Sequence, residues 1–139
     1  MKRIIYISLG LFLFNSCLDK VELRNVKVLN NSNFDIYCLN SSNDYLVNQY
    51  GGYNDFKIFE KCFKISKDSF GNVYNKPRDW GSYISQCEGG KMRLFFISKD
   101  SVKKYGWKRI ITKNIYIKRY KLDINDLNKN EWQVEFDLK

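Results

Sequence analysis

Residues 131–138 read Glu-Trp-Gln-Val-Glu-Phe-Asp-Leu. Trp132, Val134, Phe136 and Leu138 alternate with Glu131, Gln133, Glu135 and Asp137. A period of two over eight residues puts the apolar side chains on one face of an extended chain, the mark of a half-buried strand. Such a strand needs a sheet, and the upstream sequence supplies it. Met92–Ser98 is almost continuously apolar and reads as a central strand. Val26–Leu29 and Phe34–Leu39 flank the cluster Asn30-Asn31-Ser32-Asn33, and strand, polar turn, strand predicts a hairpin. In its second arm Phe34, Ile36 and Cys38 share a side, so Cys38 reads as a small core hydrophobe. Phe56–Ile65 is another strand candidate, with Phe59, Phe63 and Ile65 on one side and Lys61 interrupting them. Trp107–Tyr120 carries one or two more.

The intervening segments are turn-rich. Asn40–Asn54 reads as a loop and Ser66–Asn72 as a turn containing Gly71. Pro77 stops regular structure because it lacks an amide donor. Asp79–Gln86 forms a short helix or irregular loop presenting Trp80, Tyr83 and Ile84. Asp100–Tyr105 reads as a helical turn capped by Asp100 and ended at Gly106, and Asp123 caps another at 123–127. There is no βαβ rhythm and no internal repeat. Aromatic residues make up 17% of the chain, which favours strands. The expected fold is therefore mainly β, an antiparallel β-sandwich with one or two short helical turns. The alternative is α+β with a single antiparallel sheet.

The first residues set an address. Lys2 and Arg3 precede an apolar run, Ile4–Phe14, broken only by Ser8 and Gly10. Spanning a bilayer takes about 20 residues, so this run is too short. A charged start, a short apolar core and a small residue before the cut describe a cleaved signal peptide, 1–16. Phe14-Asn15-Ser16-Cys17 resembles the lipobox of bacterial lipoproteins, with Phe14 for the usual Leu and Asn15 where that pattern prefers a small or aliphatic residue. The resemblance implies that Cys17 is lipidated and begins the mature chain. The bland alternative is an ordinary signal with a chance cysteine. Residues 17–24 then form a tether and 25–139 a single β-rich domain. Two or more acyl chains hold a protein stably at a membrane without a transmembrane helix. The leader is expected to be a helix packing poorly against the domain.

The formal charge is +9, and removing the leader leaves +7. Nine basic residues and one acid, Asp100, lie between Lys99 and Lys121. A basic stripe ordinarily raises nucleic acid, but an exported address argues against it. Anionic lipid, an acidic glycan or an acidic protein remain as partners; solvated strand faces are the plainer explanation. With Cys17 lipidated, three thiols allow one bridge, and Cys62 with Cys87 is the expected pair.

Much chemistry is excluded. The chain has no histidine, which removes the commonest general base, the triads built on it, and most zinc and haem sites. No cofactor or metal is expected, because Cys38, Cys62 and Cys87 lack ligand spacing and the pairs Gly51-Gly52 and Gly89-Gly90 make no phosphate loop. Asp55, Asp79 and Glu88 could in principle serve a glycosidase pair, though each reads equally as a turn residue or cap. Trp80, beside Arg78, Asp79 and Gly81, is the best exposed aromatic for a ligand contact, against packing in a loop or core. Trp132 alternates with core residues and is expected buried. Asp100-Ser101-Val102 resembles a short O-glycosylation signal at Ser101, the alternative being a helix cap.

The C-terminal third resembles a family of small lipoproteins of unassigned function from Gram-negative gut and oral anaerobes. Met92–Ile97, Asp100, Trp107, Tyr116-Ile117-Lys118-Arg119-Tyr120, Leu122, Asp126-Leu127 and Trp132 carry the likeness, and Asn30-Asn31-Ser32 leading into Ile36-Tyr37 extends it. It departs at the end, Phe136-Asp137-Leu138-Lys139, where that family often finishes Tyr-Pro. The likeness implies a single domain in the cell envelope and adds no activity. The chain is therefore expected to be a lipid-anchored envelope protein, at the outer membrane on either face, and not an enzyme. A binding or structural module is the first expectation. A small inhibitor or immunity-type protein for an acidic protein partner is the second.

Overall fold

The computed structural model describes residues 24–47, 56–74 and 77–138. The leader, Cys17 and Asp55 lie outside them. The elements are β1 (Lys27–Asn30), β2 (Ile36–Ser41), α1 (Phe56–Phe63), β3 (Lys64–Ile65), β4 (Ser69–Asn72), α2 (Trp80–Gln86), a 3-10 turn (Glu88–Gly90), β5 (Met92–Ser98), α3 (Lys99–Thr112), β6 (Lys118–Leu122), α4 (Ile124–Lys129) and β7 (Gln133–Phe136).

Two sheets form, in the orders β4-β1-β7 and β3-β2-β5-β6. Every pairing is antiparallel except β1 with β7. The largely antiparallel two-sheet architecture is the one expected from the sequence. Between the sheets lies a core of Val28, Val134 and Phe136 from one and Ile36, Cys38, Met92, Leu94 and Phe96 from the other. Phe96 stacks on Phe136, ring centroids 4.8 Å apart. Burying side chains of this size contributes about 1.5–3 kcal/mol each. The opposite face of the larger sheet is buried too. Tyr37, Leu39, Phe95 and Ile97 pack there with Phe63 of α1 and with Val102, Trp107, Ile110 and Ile111 of α3. Burial on both faces explains why Met92–Ile97, apart from Arg93, is apolar without alternation.

Several expectations need correction. β1 and β2 do not form a hairpin; they lie in different sheets. The cause is Asn30, whose side chain is buried at the end of β1. Its Nδ2 donates to the carbonyls of Phe34, Ile65 and Ser66 at 2.9, 3.2 and 3.1 Å. Its Oδ1 accepts from the Ser32 amide and hydroxyl. The Asn cluster is thus a corner between sheets. β1 instead pairs with β4, in the segment read as a turn, from Lys27↔Asn72 to Asn30↔Ser69. Gly71 permits this, since a Cβ there would sit 2.5 Å from Ile65 Cγ1.

Residues 56–63 are helical, not extended. The four-residue step from Phe59 to Phe63, with exposed Lys61 between, suits a helical period better than a strand's. Nor does the chain become strand at Trp107. Gly106 takes φ 73°, ψ 154°, and the helix resumes beyond it to Thr112. Trp107, Ile110 and Ile111 are spaced for one helical face, and extended structure returns only at β6. The cap of α3 is Ser98, not Asp100: its Oγ accepts the Ser101 amide at 3.0 Å. Asp123 does cap α4, in a capping box with Asp126. Trp132 and Cys38 are buried as expected.

Candidate interaction face

α3 lies on the outside of the larger sheet. Its apolar side chains turn inward, and Lys103, Lys104, Lys108, Arg109 and Thr112 are exposed on it, followed by exposed Lys113. The break at Gly106 matters to this layout. On a straight helix of about 100° per residue, Val102 and Trp107 would sit some 140° apart. The break brings both into one buried face. Two cations approach the ring that precedes the break. Lys104 Nζ lies 5.0 Å and Arg109 Cζ 5.5 Å from the centroid of half-buried Tyr105. Both distances are within cation–π range of about 6 Å.

The nine cations of the basic stretch divide into two groups. Some are neutralised. Lys99 closes a four-membered ring with Asp35, Lys64 and Glu60, each link between 3.4 and 3.7 Å. Burial works to raise the Asp35 carboxyl there, but the Lys67 amide and the ammonium groups of Lys64 and Lys99 outweigh it and hold it below the usual carboxylate range. Lys118 donates to the Asp137 backbone carbonyl at 3.1 Å, a bond that holds the side chain without cancelling its charge. Arg119 and Lys121 converge on Asp44, at 3.3 and 3.0 Å. Buried Arg93 joins them, donating to Asp44 Oδ1 at 2.8 Å and to the Glu88 and Lys91 carbonyls. The side-chain bonds from Arg93 and Lys121 push the Asp44 carboxyl down to about 2.

The other group is little compensated by the described residues. Lys103 has only a 3.9 Å contact with fully solvated Asp100, which is worth little. Lys104, Lys108, Arg109 and Lys113 have no carboxylate within ion-pair distance among the described residues. α3 therefore presents an exposed cationic surface, with the Tyr105 ring within cation–π distance of two of its charges.

The other candidates are placed elsewhere. Trp80, expected exposed, is fully buried. Asp79 fixes the start of α2 by accepting the Gly81 and Ser82 amides at 3.0 and 3.1 Å, and Trp80 turns inward. There it packs near Tyr83 and Trp132, and its Nε1 donates to the Arg24 carbonyl at 3.1 Å. Glu88 is exposed, with Oε2 3.6 Å from Arg93. Asp79 caps the start of α2, whereas Glu88 lies beyond its end in the 3-10 turn after extended Cys87.

Cys62 and Cys87 are not joined: both are free thiols, as is Cys38. Cys87 sits in the core between the sheets, while Cys62 packs on the opposite face of the larger sheet, so the sheet separates them. Burial pushes the Cys38 and Cys87 thiols up. Ser101 is half-buried in the first turn of α3, where its Oγ accepts from Ser98 Oγ at 2.8 Å.

Three open cavities lie away from α3. A groove of about 630 Å³ runs between β6 and β7 and is lined by Tyr120, Leu122 and Val134. One of about 370 Å³ lies on the outer face of the smaller sheet beside exposed Phe70, and one of about 460 Å³ adjoins Cys62 and Tyr74. Among the described residues no His, Cys, Asp or Glu group could hold a metal, and no helix is long and apolar enough to cross a membrane.

Tyr105 and Asp44 were not singled out from the sequence. Tyr105 had a partial signal in the cations at 104 and 109, but Gly106 interrupts the helix between Tyr105 and Arg109, so their meeting is not the ordinary four-residue helical spacing. Asp44 had none, since its partners lie 49 to 77 residues away. No family model, curated protein or solved structure matches the chain.

Proposed function

We propose that this chain is a lipid-anchored cell-envelope protein, held at the outer membrane through Cys17, that acts without catalysis as a binding or structural module. The observation that carries this reading is the cationic face of α3. Charges left without counter-ions on a well-packed element are available to an acidic partner, protein or glycan. The chemistry elsewhere supports it: histidine is absent from the sequence, and the Asp79 carboxylate is spent on capping α2. The leader, the lipobox and the likeness to small envelope lipoproteins support the address.

The test has two arms. Intact mass of the purified protein should give a chain beginning at Cys17 with acyl mass added, and Cys17→Ala should leave it uncleaved or free of membranes. A soluble species cut elsewhere with Cys17 unmodified would sink the anchor. In the second arm, acidic material from envelope extract should be retained at low salt and lost at high salt, because exposed charge contacts are screened. Reproducible turnover of an envelope polymer, abolished by Asp79→Asn or Glu88→Gln, would overturn the non-catalytic reading.

A small inhibitor or immunity-type protein is the second reading. The observation favouring it is the run of exposed cations on one helix, Lys103, Lys104, Lys108 and Arg109, which complements an acidic protein surface.

A further inference from the structure

We infer that the open edge of β7, with the groove between it and β6, takes an extended peptide segment of a partner protein. One residue of that peptide pairs parallel to β7 and puts an apolar side chain into the groove. The inference goes beyond the reading of α3 and rests neither on that face nor on Cys17.

β6 and β7 are the outer strands of their sheets, so each has one edge without a strand among the described residues. The hydrogen bonds show which groups of β7 face that edge. Lys27 and Asn31 donate their amides to the carbonyls of Trp132 and Phe136, both at 2.9 Å. In a parallel ladder alternate residues of a strand bond to the same neighbour, so 132, 134 and 136 serve β1. Gln133 and Glu135 therefore turn their main-chain groups to the open edge. The fold uses two of those groups. The Gln133 amide donates to the Asn130 carbonyl at 2.9 Å, and the Glu135 carbonyl accepts the Tyr120 hydroxyl, reaching over from β6, at 3.0 Å. The Gln133 carbonyl and the Glu135 amide, on either side of Val134, make no hydrogen bond among the described residues.

Those two groups select the occupant. An acceptor at 133 and a donor at 135 are what one residue of a parallel strand requires: its amide bonds the first and its carbonyl the second. An antiparallel strand instead aims a carbonyl at the Gln133 amide and an amide at the Glu135 carbonyl. The Asn130 carbonyl and the Tyr120 hydroxyl already hold those places. A second copy docking through its own β7 in antiparallel register meets the same obstruction.

In parallel pairing the bound residue lies level with Val134 and points its side chain the same way, toward the space between the sheets. The groove of about 630 Å³ opens there, lined by Val134 and by half-buried Tyr120 and Leu122. A donor, an acceptor and an apolar slot between them match a peptide residue. Saccharides present hydroxyls, with no apolar branch between an amide and a carbonyl. Strand addition draws affinity from main-chain bonds and selectivity from such a slot. Asn130 and Tyr120 close the edge on either side, so the peptide is held at one residue and leaves the edge beyond it.

The test is a titration of the purified full chain with acetyl-Ser-Leu-Ser-N-methylamide, read by amide NMR and hydrogen exchange. The Glu135 amide should shift, and its exchange should slow about tenfold at saturation. The same peptide N-methylated at Leu has no amide to give to the Gln133 carbonyl and should lose both effects. Leu122→Lys should weaken binding by filling the groove, and Glu135→Pro should abolish it. β1 does not use the 135 amide, and proline is tolerated on an edge strand with that side facing out, so the variant's circular dichroism spectrum should be unchanged. No shift up to about 10 mM peptide, equal binding of the N-methylated peptide, or the same shifts with cellohexaose would overturn the inference. So would slow exchange at Glu135 before any peptide is added, which would show the edge already covered by this chain or by a second copy.

Discussion

Gly106→Ala isolates the feature on which the α3 face depends. Residue 106 has φ 73° and ψ 154°, a region that essentially only glycine enters. A Cβ there would meet nothing within 4 Å, so the penalty comes from the backbone alone. Holding alanine in such a conformation costs about 1–3 kcal/mol. The reduced freedom of the unfolded chain offsets roughly 0.4–1 kcal/mol of this. The net loss expected is about 1–2 kcal/mol, large against a domain stability of about 5–15 kcal/mol. With a urea slope near 2 kcal/mol/M, the midpoint should fall by about 0.5–1 M. Gly81→Ala is the control. Gly81 lies inside α2, its Cβ would be 3.5 Å from Asp79 Oδ1, and no positive φ is required. That change should leave the midpoint unchanged or raise it, because glycine disfavours a helix relative to alanine by about 0.5–1 kcal/mol. If Gly106→Ala unfolds at the wild-type midpoint, the break is not held by glycine, and the account of how Val102 and Trp107 come to share one buried face fails with it.

Trp80→Ala should destabilise by about 3–5 kcal/mol while leaving retention of acidic material by the remaining folded protein intact; loss of binding at unchanged stability would restore Trp80 as a ligand contact. Asp44→Asn should lower the urea midpoint at neutral pH. The folded Asp44 carboxyl titrates near 2, below its unfolded value of about 3.9, so its contribution is present above about pH 4 and is lost as the pH falls through 2. Wild type and variant should therefore converge in acid, and a constant gap down to pH 2 would contradict the role given to the carboxylate. A thiol reagent should label Cys62 first, with Cys38 and Cys87 reacting only on unfolding; a Cys62–Cys87 peptide in a non-reducing digest would overturn their separation by the sheet.

Where a pattern was local and one-sided, the sequence was readable. Residues 131–138 alternate, and β7 buries Val134 and Phe136 while Gln133 and Glu135 face out. Asp123 caps within its own turn, so reading it needed no tertiary information. The misreadings fall where a distant partner decides. Asn30 looks like a turn residue, yet it directs the chain from one sheet to the other through the carbonyls of Ile65 and Ser66, 35 and 36 positions away. Ser69–Asn72 has the composition of a turn and becomes a strand because β1 needs a second neighbour.

The candidate site shows the same division. That residues 99–121 are basic is plain from composition, but composition treats nine cations alike. The fold separates them by topology. β2 and β3 begin beside α3 and bring Asp35 and Lys64 to Lys99. The loop after β2 carries Asp44 across β5 to Arg93, Arg119 and Lys121. No element carries a described carboxylate to the outer side of α3 beyond Asp100, so Lys104, Lys108, Arg109 and Lys113 keep their charge. A solvated face and a docking face look the same in a list of lysines. They differ in whether the fold has placed acids among the charges. Here it has done so for the cations beside the strands, where Asp35 and Asp44 tie elements together, and not for those on the outside of the helix.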